Sequence, residues 1–325
     1  MHPAFSVIFL TTLIGAGQGL FLALYTVQSF AALDVLPAQS MRFYVYGSAI
    51  VLILLLAGLV ASFFHLGHPE RAWRSATRWR TSWLSREVIV LPAMMGAVFV
   101  YGLVHWFDWD LNLVGINTQT PGDLSLIIGA GGVLIAFALF LCTGMIYACI
   151  KFLQEWASWL TVVNYTLFGL ASGFMLATAY AAYRAPQLIN FYAAWALIFT
   201  VAALITRIAS LMRNARIKYK STPQSAIGIR HSRIVQKSQG FMGGSFNTRE
   251  FFHGVKPTLF RAIKWVFLVL VFPLPMLLLW SGIGSDSAVV LLMAFGVQYF
   301  GLLVERWFFF AQANHPQNIY YQTIS

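Results

Sequence analysis

The sequence predicts an all-α, polytopic membrane protein with eight transmembrane helices, and three observations carry the prediction. Hydrophobic residues make up 59% of the 325 and charged residues only 10%. Mean hydropathy is +0.73. Apolar runs of about 20 residues or more, the length that crosses a hydrocarbon core, recur along the whole chain. A backbone in lipid has to satisfy its own hydrogen bonds, so runs of this kind are helices. The expected spans are Phe5–Leu33, Tyr44–Leu66, Ser85–Phe107, Leu124–Phe152, Leu160–Ala182, Phe191–Met212, Leu259–Trp280 and Val289–Ala311. An even number of crossings puts both termini on one side, and residues 1–325 read as a single membrane domain.

The first span lacks a basic leader and a small-residue cleavage site and holds Gly15, Gly17 and Gly19, so it reads as a retained helix rather than a signal peptide. The second runs into the polar interruption His65–Glu87, HLGHPERAWRSATRWRTSWLSRE, which carries five Arg. Within it Pro69 suits a first helical position. Arg71, Arg74 and Arg78 then share one face and Trp73 and Trp79 can sink into the interface, which predicts an amphipathic surface helix over Pro69–Arg80. Lipid anchoring and topology account equally well for these arginines, and Trp83 equally suits an aromatic belt.

The third span opens on Ser85-Arg86-Glu87, ends at His105, and leads into a connection holding Asp108, Asp110 and Asp123 and no base. The fourth carries both cysteines, Cys142 and Cys149, about 10 Å apart along one helix and so unable to pair in place. The fifth contains Asn164 and a Gly173-Phe-Met-Leu-Ala string that echoes Gly19-Leu-Phe-Leu-Ala of the first, an indication of two four-helix halves of parallel orientation. The sixth is followed by a long basic connection, 213–257. Its Ile227, Ile229, Ile234, Val235, Phe241, Met242, Phe246, Phe251 and Phe252 suggest folding against a partner, with disorder as the alternative. The seventh holds Pro273 and Pro275. The eighth holds Gln298, which with Gln18 and Asn164 suits interhelical hydrogen bonding, and then Glu305-Arg306, read as a local ion pair or a further proton-transfer group.

Lys and Arg concentrate after the second and sixth spans, which places those connections, both termini and the start of the third span on the cytoplasmic side. The +11 net charge is then mostly topology, and no nucleic-acid partner is expected. No Cys-x-x-Cys or Gly-rich phosphate loop occurs, so the chain is expected to hold no iron–sulfur cluster. His65 and His105 lie at opposite ends of their spans, nearly a membrane apart, so no haem is expected either.

His65 and Glu87 border one aqueous face. A carboxylate just inside a span is costly and usually lines a cavity, pairs or carries protons. Quinone–quinol conversion moves two protons, which a carboxylate can exchange while a neutral His hydrogen-bonds a ring oxygen. The competing reading is a surface ion pair from Glu87 to Arg86 or Arg71, with His65 as a helix cap.

The strings Phe-Phe-His65-Leu-Gly-His-Pro-x-Arg71-Ala-Trp and Thr-Ser-Trp83-Leu-Ser85-Arg86-Glu87 resemble the membrane-anchor subunits of the dimethyl sulfoxide reductase family, DmsC type. The resemblance implies an eight-helix anchor without haem that binds ubiquinone or menaquinone as quinol. It also implies a docked four-cluster iron–sulfur subunit and, through it, a molybdopterin catalytic subunit. It assigns the functional His and Glu to His65 and Glu87. Among the residues around them, Arg71, Trp83, Ser85 and Arg86 are read, from their place beside this pair and not from the resemblance, as shaping the pocket or docking face. The long 213–257 connection and the tail through Asn314-His315-Pro316-Gln317-Asn318 are closest in character to anchors of cytoplasm-facing sulfite-oxidising complexes of the bacterial inner membrane. The alternatives are an S- or N-oxide reductase anchor oxidising menaquinol and, from another class, a secondary transporter with the Pro273/Pro275 helix as its broken element.

Overall fold

The computed structural model describes residues 1–109, 123–235, 253–316 and 318. Its helices are α1 (Phe5–Ala32), α2 (Met41–Phe63), α3 (Trp83–Trp106), α4 (Asp123–Ala148), α5 (Trp159–Arg184), α6 (Ile189–Ala215), a short α7 (Pro223–Ile227), α8 (Pro257–Val271), α9 (Pro273–Gly284) and α10 (Ala288–Ala311). Among the described residues eight stretches are long and apolar enough to cross a membrane, α8 and α9 together forming the seventh. The fourth ends at Ala148 rather than Phe152. Its apolar run continues past that point, but as a turn that tucks Leu153 and Trp156 under the end of α10, where Trp156 Nε1 donates to the Phe309 carbonyl at 2.9 Å.

Two helices are central and six are peripheral. In their most apolar windows α1 and α5 are 78% buried, against 33–39% for the others, which present the remainder to lipid. The two central helices cross where side chains are absent. A Cβ on Gly19 would overlap the Gly169 carbonyl, and one on Gly173 would overlap the Gly19 backbone. Each helix brings glycines four residues apart to the seam, Gly15/Gly19 and Gly169/Gly173, the spacing that lets membrane helices approach backbone to backbone. The Gly19 and Gly173 strings that echo each other in sequence therefore face each other in space. Around this crossing the two four-helix halves share one layout. α1 packs on α2 and α4 as α5 packs on α6 and α10, and the last helix of each half leans on the first of the other.

The proline break is real. Between α8 and α9 Phe272 leaves helical geometry at φ −113°, ψ −81°. The Val271 carbonyl beside the break accepts from Gln298 Nε2 at 3.3 Å, and the same amide donates to Thr200 Oγ1 at 3.1 Å. Gln298 thus serves the backbone that prolines leave unsatisfied. Asn164 behaves similarly, accepting from Thr206 Oγ1 at 2.8 Å.

One face of α3 is buried along its length, through Glu87, Leu91, Met94, Val98, Tyr101 and His105. At its far end Tyr101 Oη donates to Gln28 Oε1 and Gln28 Nε2 to Ser125 Oγ, both at 2.6 Å, while the His105 ring packs on Tyr44 and Tyr101.

The surface helix expected over Pro69–Arg80 is present as a 3₁₀ helix, Pro69–Arg78. Ser75 and Thr77 hydroxyls bond back to the carbonyls three residues earlier, Ala72 and Arg74, which suits the tighter winding. Trp73 and Trp79 are exposed, as interface anchors would be, each with a neighbouring guanidinium near its ring.

In the long connection after α6, α7 is capped by a Thr222–Ser225 box. Ile227, Ile229 and Val235 are exposed and Ile234 is half-buried, whereas Phe241, Met242, Phe246, Phe251 and Phe252 lie outside the described residues. Tyr219 ties the start of this connection down by donating to Glu155 Oε1 at 2.6 Å. Burial and that carboxylate raise the phenol above its ordinary value. A raised folded-state value means the stabilisation is complete below the ordinary phenol pKa and is lost only as pH rises above it. Tyr219→Phe is therefore expected to cost about 1 kcal/mol locally at neutral pH and to speed proteolytic cleavage between Ser221 and Val235. An unchanged cleavage rate would show that the bond does not hold the segment.

Candidate functional site

The sequence-predicted residues separate into an exposed group and a buried group. His65 lies two residues beyond the end of α2 and is exposed, its backbone N–H closing a turn onto Ser62. Partial burial still holds its imidazole below the ordinary value, so at neutral pH the ring is uncharged and can accept or donate one hydrogen bond. Arg71 is exposed, with Nε 3.6 Å from Glu70 Oε1. Trp83 opens α3 and carries the Arg86 guanidinium 4.2 Å above its ring. Arg86 in turn donates from Nε to the Trp79 carbonyl and from Nη2 to the Arg80 carbonyl, both at 2.9 Å, locking the surface helix to the start of α3. Ser85 is buried, and its N–H is capped by Ser82 Oγ.

Glu87 points the other way, into the protein, with 6% of its surface accessible. Its partner is neither Arg86 nor Arg71. Thr143 Oγ1 of α4 donates to Glu87 Oε1 at 2.5 Å. Among the described residues no hydrogen bond or ion pair joins His65 to Glu87. The motif thus supplies an exposed imidazole just beyond the end of α2 and a buried carboxylate near the start of α3.

Behind Glu87 lies a polar cluster that spans both halves. One turn beyond Thr143 on α4, the Tyr147 ring stacks on Tyr165 of α5 at 5.5 Å and 9°. The Arg306 guanidinium of α10 sits 4.1 Å over the Tyr165 ring. Arg306 Nε donates to Glu305 Oε2 at 2.6 Å, and Arg207 Nη2 of α6 lies 2.7 Å from Glu305 Oε1. Arg207, Glu305 and Arg306 are 1%, 0% and 3% exposed. The expected local Glu305–Arg306 pair is thus a triad, and the sequence reading missed its third member. A lone Arg inside the apolar run Phe191–Met212 was the available signal. Thr143, Tyr147 and Tyr165 gave no such signal, since hydroxyl residues are ordinary in membrane helices.

Eight helical stretches long and apolar enough to cross a membrane, with buried charge gathered at one end of the bundle, define an integral membrane protein. Comparison with known proteins gives its family. Residues 1–310 match the family model described as DMSO reductase anchor subunit (DmsC), and the chain belongs to that family. It is also 57% identical, over 325 residues and the full length of both chains, to a sulfite dehydrogenase subunit of Allochromatium vinosum. The likeness first visible in His65–Glu87 therefore extends along the chain.

Proposed function

We propose that this anchor is the quinone-reactive subunit of a sulfite-oxidising molybdopterin oxidoreductase complex in a bacterial inner membrane. It exchanges electrons between the quinone pool and an iron–sulfur subunit docked over His65–Glu87. The observation that carries the quinone reading is Glu87, a carboxylate held by one hydroxyl just inside the membrane face and not neutralised by an adjacent arginine. Reduction of a quinone consumes two protons and oxidation of a quinol releases two, so a site for either needs a group that exchanges protons with water. Glu87 takes that role. His65, uncharged at neutral pH, offers the hydrogen bond to a ring oxygen at the surface end. Trp83 and Ser85, in the first turn of α3, shape the pocket between them, Arg86 holds the surface helix, and the exposed Arg71 presents positive charge to the docked subunit. The sulfite assignment is supported by the full-length similarity to a sulfite dehydrogenase subunit.

The basic connections favour cytoplasmic termini and a cytoplasmic docking face. Reporter fusions within Ser221–Gly254 test that orientation, and an external signal would reverse it. Affinity purification of the tagged chain from its native membrane in mild detergent tests the assembly. The expected result is stoichiometric molybdenum and iron with two soluble subunits, and sulfite-dependent reduction of a quinone analogue. The same subunits with activity toward S- or N-oxides would move the reading to a reductase anchor. A metal-free protein purifying alone would favour a transporter.

A further inference from the structure

The triad Arg207–Glu305–Arg306 is not electrically balanced. Two guanidinium groups face one carboxylate, leaving one positive charge buried inside the membrane. Buried charge in a bilayer needs compensation, and removing one member of such a set leaves its partner uncompensated. Arg207 Nε and Arg306 Nη1 have no hydrogen-bond partner among the described residues, and the two guanidinium groups lie against the aromatic faces of Phe267 and Phe308 and of Tyr165, Phe168 and Phe309, which carry no formal charge. Glu87 presents the opposite imbalance, a buried carboxylate whose bonded neighbour is a neutral hydroxyl.

Both imbalances lie near the same membrane face, because Glu87 and Tyr165 stand near the starts of α3 and α5 while Tyr147, Arg207 and Arg306 stand near the ends of α4, α6 and α10. Tyr147 and Tyr165 fill the space between them, and each lies within electrostatic reach of both Glu87 and Arg306. Arg86 also lies within electrostatic reach of this site, since Cys142 feels both it and Glu87, but among the described residues it makes no ion pair with the carboxylate. Cys142 of α4 is a thiol, and the Arg86 side chain is turned to the Trp79 and Arg80 carbonyls.

We propose that the Arg207–Glu305–Arg306 triad of the second half is the counter-charge for Glu87 of the first, acting across the Tyr147–Tyr165 pair. With Glu87 ionised the network is neutral, and each proton taken up by Glu87 leaves it with one net positive charge. The second half thereby sets how readily Glu87 is protonated, making Arg207, Glu305 and Arg306 positioning residues for the proton step. This rests on Glu87 being the proton-exchanging group proposed above.

The test reads Glu87 itself. In the purified complex, without quinone, the infrared band of its protonated carboxyl is assigned by its loss in Glu87→Gln and then followed against pH. Arg306→Gln removes a positive charge, so the band should persist to higher pH. Glu305→Gln removes a negative charge, so the band should appear only at lower pH. Each displacement should correspond to about a threefold to tenfold change in proton concentration, as a unit charge gives at moderate distance in a protein interior. Arg306→Lys, which keeps the charge, should restore the wild-type position. If Arg306→Gln does not assemble, Arg207→Gln removes the same charge from the other end of the triad. Shifts of equal sign in the two directions of charge change, or no shift, would overturn the coupling. Unaltered quinone turnover in Glu87→Gln would instead overturn the quinone reading and leave the titration result standing.

Discussion

Replacing Glu87 by Gln is expected to lower quinone-linked turnover by about a hundredfold or more, the scale on which a positioned proton-transfer group acts. On the proposed function, assembly with the soluble subunits and dye-linked oxidation of the substrate should be unchanged. The substitution is nearly isosteric, and the Thr143 hydroxyl that donates to Glu87 Oε1 can donate equally to a Gln carbonyl. Packing between α3 and α4 is therefore preserved while the ability to exchange a proton is removed. The outcome that defeats the assignment is loss of the complex from the membrane, which would make Glu87 a structural residue. Full quinone activity would defeat it equally.

The second large effect is structural. Gly173→Val is expected to abolish accumulation of the folded protein, because the added carbons would have to occupy the position of the Gly19 backbone. Overpacking a tight core typically costs about 1–3 kcal/mol when side chains can adjust, and here the obstacle is main chain. The control is Gly131→Ala, where a Cβ meets nothing within 4 Å. That change should leave accumulation intact and stabilise α4 by roughly 0.5–1 kcal/mol, the usual gain for Gly to Ala within a helix. Quantitative immunoblotting of membranes and thermal denaturation in detergent compare the two. Equal behaviour would remove the glycine crossing as the seam between halves.

The eight crossings were legible because hydropathy over about 20 residues is dictated by bilayer thickness, whatever the tertiary packing. The start of α3 was legible for a related reason, since Ser85-Arg86-Glu87 interrupts apolar sequence with charge. What charge patterning cannot supply is direction. Arg86 and Glu87 are neighbours in sequence, yet consecutive helical residues project about 100° apart, so one side chain lies along the surface and the other enters the protein. The same limit hid the triad. Glu305 and Arg306 read as a self-contained pair until α6 brought Arg207 to the other carboxylate oxygen. The winding of Pro69–Arg78 as 3₁₀ rather than α was also out of reach, since the two geometries share the same broad amphipathic pattern and differ in local hydroxyl bonding.

The buried face of α3 sets a limit on the energetics of any chemistry at Glu87. Between that carboxylate and His105, about 27 Å along the helix, the face presents Leu91, Met94 and Val98 before Tyr101 is reached. Those side chains are a dielectric, not a conductor. On the proposed role of Glu87, a proton arriving there meets no polar side chain on this face before Tyr101, so α3 offers it no route to the far end. For that role α3 is electrically silent, and a voltage generated by an assembled complex would have to be built along some other helix.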